Sequence, residues 1–197
     1  MKAFKETTNS SYYFSSCDIC DAKCCKGFYN TVYSQIILED FEKVYENFPI
    51  VFMLGELNYL KPVILLTNGI DNCKYLENNK CNIYEKRPQV CRTYPLSPHL
   101  TNIPYIDINC PAVGEDGKLI VQNTVVGNEF NHEVFENYQD KYIKMHFHFD
   151  KFNDKENIKF LIKIRNENFY IFKEDFSDEF LKMHLSSLKN IDNYFKV

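Results

Sequence analysis

Cys17-Asp-Ile-Cys20-Asp-Ala-Lys-Cys24-Cys25 places four cysteines within nine residues; four more follow at 73, 81, 91 and 110, and none after that. Metals bind the thiolate, and two or three intervening residues let neighbouring sulfurs converge on one ion or one cluster. Such spacings serve zinc sites and iron–sulfur clusters alike. Buried structural thiols and a redox dithiol are the competing readings, and a thioredoxin-type dithiol would want a strand–helix–strand context that the pattern lacks. The candidate metal ligands are Cys17, Cys20, Cys24, Cys25, Cys73, Cys81, Cys91 and Cys110.

If the first cluster is helical, Cys17, Cys20 and Cys24 fall within roughly 60° of one another and Cys25 points away from them. In an extended chain adjacent side chains also diverge. The expectation is that Cys24 and Cys25 serve different sites, or different edges of one compact site. Eight cysteines then supply two tetrahedral sites of four thiolates, or one four-iron cluster with spare thiols.

Working outward, Cys73-Lys-Tyr-Leu-Glu-Asn-Asn-Lys-Cys81 reads as a hairpin about Asn78-Asn79, with Tyr75-Leu76 facing Cys81-Asn-Ile83. Arg87-Pro88 turns the chain or starts one helical turn, returning Cys91 toward the pair. Cys110 ends an extended stretch, Ile103–Asn109, and Pro111 fixes its exit. The whole pattern, CxxCxxxCC, then CxYLxxxxCxIYExRPxxCRxYP, then a later Cys-Pro, resembles the YkgJ-like cysteine-cluster family, a CxxCxxCC zinc- or iron-chelating domain. The resemblance covers roughly residues 17–115, and Arg87-Pro88-Gln-Val-Cys91-Arg92-Thr-Tyr94-Pro95 is its most specific part. Cys20-x3-Cys24 and Cys110-Pro-Ala112 depart from the family's usual Cys-x2-Cys and Cys-Pro-Gly. The family is related to the cysteine-rich region of flagellin lysine N-methylases, which implies a four-iron cluster and methyl transfer to surface lysines of a protein. Much of the C-terminal half of those longer enzymes has no counterpart here. The radical-enzyme CxxxCxxC triplet is absent, and no Gly-rich methyltransferase loop stands out in a chain with six glycines.

Arg87 and Arg92 flank Cys91 and suit an anion, or charge and hydrogen bonds to metal-bound thiolates; Arg87 paired with Glu85 is the plainer reading. Tyr84 and Tyr94 are packing aromatics or donors to a sulfur or substrate. His146 and His148 alternate as on one face of a strand, a weak candidate pair. Asp18 and Asp21 read as solvated loop carboxylates rather than oxygen ligands.

With 197 residues the chain can bury a core without cross-links, so the cysteines are not needed as disulfides. A net charge of −4 and no Lys/Arg block argue against nucleic acid or an anionic membrane as partner. Met1–Ser10 shows no secretory pattern, and the apolar runs are too short to span a bilayer. A cytoplasmic protein with reduced thiols is expected. Residues 1–115 form a cysteine-bearing region and 116–197 a cysteine-free one, joined at the turn Glu115-Asp-Gly-Lys118 and packed as one unit.

Local patterns call for an α+β fold: Tyr29–Ser34, Ile50–Leu54 and Val63–Thr67 extended; Ile37–Phe48 helical; Glu129–Phe147 partly helical; a hairpin from Ile158–Arg165 to Phe169–Lys173 across residues 166–168; and a final helix, Ser177–Tyr194, capped by Ser177. The functional expectation is a cysteine-ligated metal protein: [4Fe–4S] first, zinc second. The alternatives are a protein-modifying or redox enzyme using the cluster, acting on a protein substrate or partner, and a metal chaperone or sensor.

Overall fold

The computed structural model describes residues 2–55 and 59–193. The fold is α+β, with helix and strand in near-equal measure, 30% and 29%. Its centre is an antiparallel five-stranded sheet ordered β13-β14-β4-β5-β3. These strands are β3 (Tyr33–Gln35), β4 (Ile50–Leu54), β5 (Leu60–Leu65), β13 (Ile158–Ile164) and β14 (Glu167–Phe172). β4 and β5 are apolar without alternation because both of their faces are covered. Ile50, Phe52, Leu60 and Ile64 face a core built with Phe41, Phe48, Met145, Phe149 and Leu181. Val51, Met53, Val63 and Leu65 face a second core with Ile164 and Phe169.

Helices α1 (Phe41–Val44), α3 (Tyr138–Asp150) and α4 (Glu179–Ser187) cover the first of these faces. His184 of α4, fully buried, ties the layers together. Its Nε2 accepts from the Phe172 amide at 3.1 Å and its Nδ1 donates to the Ile50 carbonyl at 2.8 Å, which fixes a neutral tautomer.

Two smaller sheets carry the remainder. One is ordered β1-β9-β8, from β1 (Phe4–Glu6), β8 (Leu96–Ser97) and β9 (Tyr105–Asp107). The other is ordered β10-β2-β11-β12, from β2 (Ser11–Phe14), β10 (Val113–Gly114), β11 (Lys118–Gln122) and β12 (Val125–Val126). A third core, including Leu96, Ile106, Ile120, Val121 and Phe135, lies between them. Strand β2 pairs with β10 and with β11, so the chain on both sides of residues 115–117 hangs from one N-terminal strand.

Several local expectations are corrected. The helix expected over Ile37–Phe48 is a 3-10 turn, Leu38–Asp40, followed by α1 alone. Asp40 Oδ2 accepts from the Ile37 amide at 3.1 Å and holds the tight first turn, while Asn47 and Phe48 both donate to the Val44 carbonyl and loosen the last. The final helix starts at Glu179, not Ser177: Ser177 has φ +61°, and Asp178 is the cap, its Oδ1 accepting from Phe180 and Leu181 amides at 3.0 Å. Beyond α4 the chain tightens into a 3-10 stretch, and the expected end at Tyr194 lies outside the described residues. The C-terminal hairpin turns on Arg165-Asn166, because Ile164 already pairs with Glu167. His146 and His148 sit on α3 rather than on a strand, so two residues apart puts them on nearly opposite sides. His146 packs on Tyr142, while His148 Nε2 lies 2.8 Å from Asp178 Oδ2 without the alignment of a hydrogen bond.

Candidate metal centre

The first cysteine segment is not one helix. Ser16 Oγ accepts from the Asp18 amide at 3.0 Å and starts a 3-10 turn, Cys17–Ile19. Ala22 at φ +57° then redirects the chain into a second turn, Lys23–Cys25. The two turns are fastened to different places. At the second, the Cys73 amide donates to the Cys25 carbonyl at 2.7 Å, and the Gly27 amide to the Asp71 carbonyl at 2.9 Å. A Cβ at Gly27 would sit 2.7 Å from Asp71 O, Ile70 N and Thr67 Oγ1, so only glycine permits this approach. At the first, the Ser15 amide donates to the Ala112 carbonyl at 2.9 Å, and β2 pairs with β10, which carries Cys17 and Cys20 toward Cys110.

The other cysteines arrive on short elements. Strands β6 (Leu76–Glu77) and β7 (Lys80–Cys81) form the expected hairpin, turning through Asn78 and Asn79 at φ +48° and +60°. Leu76 pairs with Cys81, and its amide donates to the Cys73 carbonyl at 2.9 Å, so Cys73 and Cys81 flank the hairpin root. Cys91 lies on α2 (Gln89–Thr93), which begins immediately after Pro88.

Cys24, Cys25, Cys73, Cys81 and Cys91 line one cavity of about 120 Å³. Cys17, Cys20 and Cys110 lie outside its lining, yet Cys17 and Cys110 each feel the charge of Cys20 and Cys24. Cys24 therefore stands between the cavity cysteines, whose lining it shares, and Cys17, Cys20 and Cys110. Its Sγ is 3.8 Å from that of Cys25. The expected divergence of these neighbours is thus not what the turn geometry gives. A tetrathiolate ion with 2.3 Å bonds has sulfurs about 3.8 Å apart, so this pair has the spacing of one tetrahedral edge. Among the described residues no three His, Cys, Asp or Glu side chains converge as they would on a single ion.

All eight cysteines are free thiols. Burial pushes Cys91 up to about 12 and Cys110 up to about 11, and raises Cys17 and Cys73 as well. Cys24 is the exception, drawn down to about 7 by the Cys25 thiol, while Cys25, sharing that contact, is raised. The donor set is all sulfur, without histidine, which suits zinc or iron–sulfur and not a hard cation. Buried thiols of this kind ionise when a cation takes the proton's place.

Arg87 lines the cavity, stacks 3.7 Å over the Tyr84 ring, and donates from Nε to the Tyr84 carbonyl at 3.0 Å. Tyr84 itself is half exposed and serves as the platform. Tyr94 lines the cavity and donates its hydroxyl to Asp107 Oδ2 at 2.9 Å. Arg92 is exposed on α2 and does not reach the cavity wall. Asp18 and Asp21 are exposed, Asp18 accepting from Ser16 Oγ at 2.9 Å.

Two residues escaped the sequence reading. Lys2 enters the cavity wall and faces Cys24, Asp107, Cys91 and Cys25; burial lowers its pKa against their pull. Asp107 is buried, and its Oδ1 accepts from the Ala3 and Asn109 amides at 2.9 and 3.1 Å. No spacing could reveal Lys2, because β1 pairs with β9 about a hundred positions on. Arg165, from the cysteine-free part, donates to the Gly27 and Gly69 carbonyls at 2.8 Å each, and to Asn30.

Residues 16–111 match the protein-family model CxxCxxCC, described as "Putative zinc- or iron-chelating domain". The match covers just under half of the chain and is a likeness of this segment to that family's domain. It spans every cysteine of the chain, and it supports metal binding by the cysteines. No curated protein and no solved structure matches the chain. Among the described residues no helix is long and apolar enough to cross a membrane.

Proposed function

We propose that the chain is an iron–sulfur protein whose [4Fe–4S] cluster occupies the cavity ringed by Cys24, Cys25, Cys73, Cys81 and Cys91, in a reducing, cytoplasmic setting. The observation that carries this reading is the cavity: five cysteines contribute to the walls of about 120 Å³ of open space, together with apolar and aromatic side chains. Cys25, Cys73, Cys81 and Cys91 are the cluster ligands, and Cys24 joins Cys17, Cys20 and Cys110 in the neighbouring group. Arg87 and Lys2 place positive charge against the sulfurs, and Tyr94 is aimed by Asp107 at the same wall. Such a cluster supplies one-electron transfer or Lewis acidity. The residues of this chain hold it, neutralise part of its charge and exclude water with Phe48, Leu66 and Val90.

One observation favours a second reading. The 3.8 Å contact between Cys24 and Cys25 has the dimension of a tetrahedral zinc edge. The two readings separate in one preparation. Anaerobically purified protein is examined for visible absorption, iron, acid-labile sulfide and zinc. About four irons and four sulfides per chain, lost on Cys73→Ser or Cys91→Ser, support the cluster. A colourless protein with one or two zincs assigns the zinc site and rejects the cluster.

A further inference from the structure

Beside the cysteine cavity, and sharing Lys2 and Tyr94 with it, is a second cavity of about 290 Å³. Its other walls are Lys23, Tyr29, Asp107 and Asn109. Two ammonium groups and one carboxylate face this space. The carboxylate is already engaged: both oxygens of Asp107 accept, from the Ala3 and Asn109 amides and from the Tyr94 hydroxyl. The lysines are held over aromatic rings, Lys2 at 5.5 Å from the Tyr94 centroid and Lys23 at 5.6 Å from that of Tyr29. These rings orient the ammoniums without neutralising them. Two ammoniums against one carboxylate leave its walls with a formal charge of +1, and its volume lies at the small end of ligand sites.

We propose that this cavity binds the phosphate or carboxylate group of a small molecule, gripped by Lys2 and Lys23 beside the metal centre. Lysine is a compact point charge, suited to an oxyanion that can rotate in its site. Lys2 is largely desolvated, and a bound anion offsets that cost, as do the thiolates on its other side. The shared wall puts the ligand next to the cysteines, which makes it a candidate substrate of the metal centre; that role rests on the metal reading, whereas anion binding does not.

The test is calorimetric titration of metal-loaded wild-type protein, at low ionic strength, with inorganic phosphate and separately with malonate. The expected result is one saturable site per chain, weakened by salt and by about tenfold or more in Lys23→Ala, and retained in Lys23→Arg. Lys2→Ala weakens it too, but Lys23 decides, because Lys2 also faces the thiolates. The tighter of the two anions names the ligand group. No saturable binding of either anion, or binding unchanged in Lys23→Ala, overturns the proposal. Metal content is measured on the same samples: wild-type protein without metal defeats the metal reading while the titration still decides the cavity.

Discussion

Around β4, the rings of Phe41 and Phe52 close on Phe149 at centroid distances of 5.8 and 5.0 Å, and all three side chains are wholly buried. Around the cysteines, the longest element is the five-residue α2, strands are two residues long, and Cys17 is exposed. The sheet region has a core that accounts for its own order. The cysteine region touches that core only at its margin, through Cys73 and its neighbours, and is otherwise mostly turns held by backbone fastenings such as Cys25–Cys73, Gly27–Asp71 and Ser15–Ala112. Where apolar burial is thin, ligation energy can take its place, since metal binding at thiolate sites is also folding free energy. The difference is therefore a claim about what each half depends on, and it can be broken.

Metal removal is the largest lever. Chelation of the loaded protein is expected to free about 10 kcal/mol of coupled folding energy in the cysteine loops. Hydrogen exchange should then show amides of residues 72–92 losing protection while those of β4, β5 and β14 keep theirs. Uniform loss across both regions would mean that they form one cooperative unit and that the contrast drawn here is wrong.

Gly27→Ala attacks the fastening instead of the metal. The new Cβ meets backbone on the opposite loop, which cannot rotate away as a side chain can. A destabilisation of about 4 kcal/mol, or loss of metal from an otherwise folded chain, is expected. Near-wild-type melting with full metal would show that the 71–73 approach is not needed.

His184 sharpens the contrast from the other side. Burial brings its pKa down to about 4, below the ordinary value near 6.5 of an unfolded chain. The unfolded state thus takes up a proton first as pH falls. The contribution to stability is complete above about pH 6.5 and is lost progressively down to about pH 4, amounting to about 3 kcal/mol. Denaturant melts of metal-free protein at pH 7 and pH 4.5, compared with His184→Asn, isolate it. An unchanged pH slope in the variant would remove His184 from the account.

These regions also differ in how far sequence revealed them. Ile50–Leu54 is a strand with the bounds its apolar run implies, and Asn78-Asn79 turns the hairpin because two asparagines tolerate positive φ. Local chemistry decides such features. β1 and β2 were not foreseen: Phe4-Lys-Glu is exposed, and its pairing depends on residues 105–107. α1 starts late because the Asp40 carboxylate accepts from the Ile37 amide and holds a 3-10 turn, a contest that hydrophobic spacing does not register. At the cysteines, residue type and spacing marked candidate ligands, whereas which of them line one cavity follows from which loop each turn is fastened to. That is a long-range fact, as is the entry of Lys2.

Arg165 makes the smallest and most discriminating prediction. It stands at φ +55° in the turn between β13 and β14, and its guanidinium reaches carbonyls of both loops that meet at Gly27. The side chain is exposed, so its hydrogen bonds compete with water and contribute about 1 kcal/mol to global stability. If the sheet region merely sits beside the cysteine loops, Arg165→Ala should cost that amount and leave metal affinity alone. If the clamp holds the 23–27 turn against Gly69, metal affinity should fall several-fold while the melting of the sheet barely moves. Arg165→Gly separates backbone from side chain, because it relieves the positive φ yet removes the same donors. Equal loss of metal affinity in both variants would assign the effect to the guanidinium alone, and a smaller loss in glycine would show that relief of the positive φ offsets part of it.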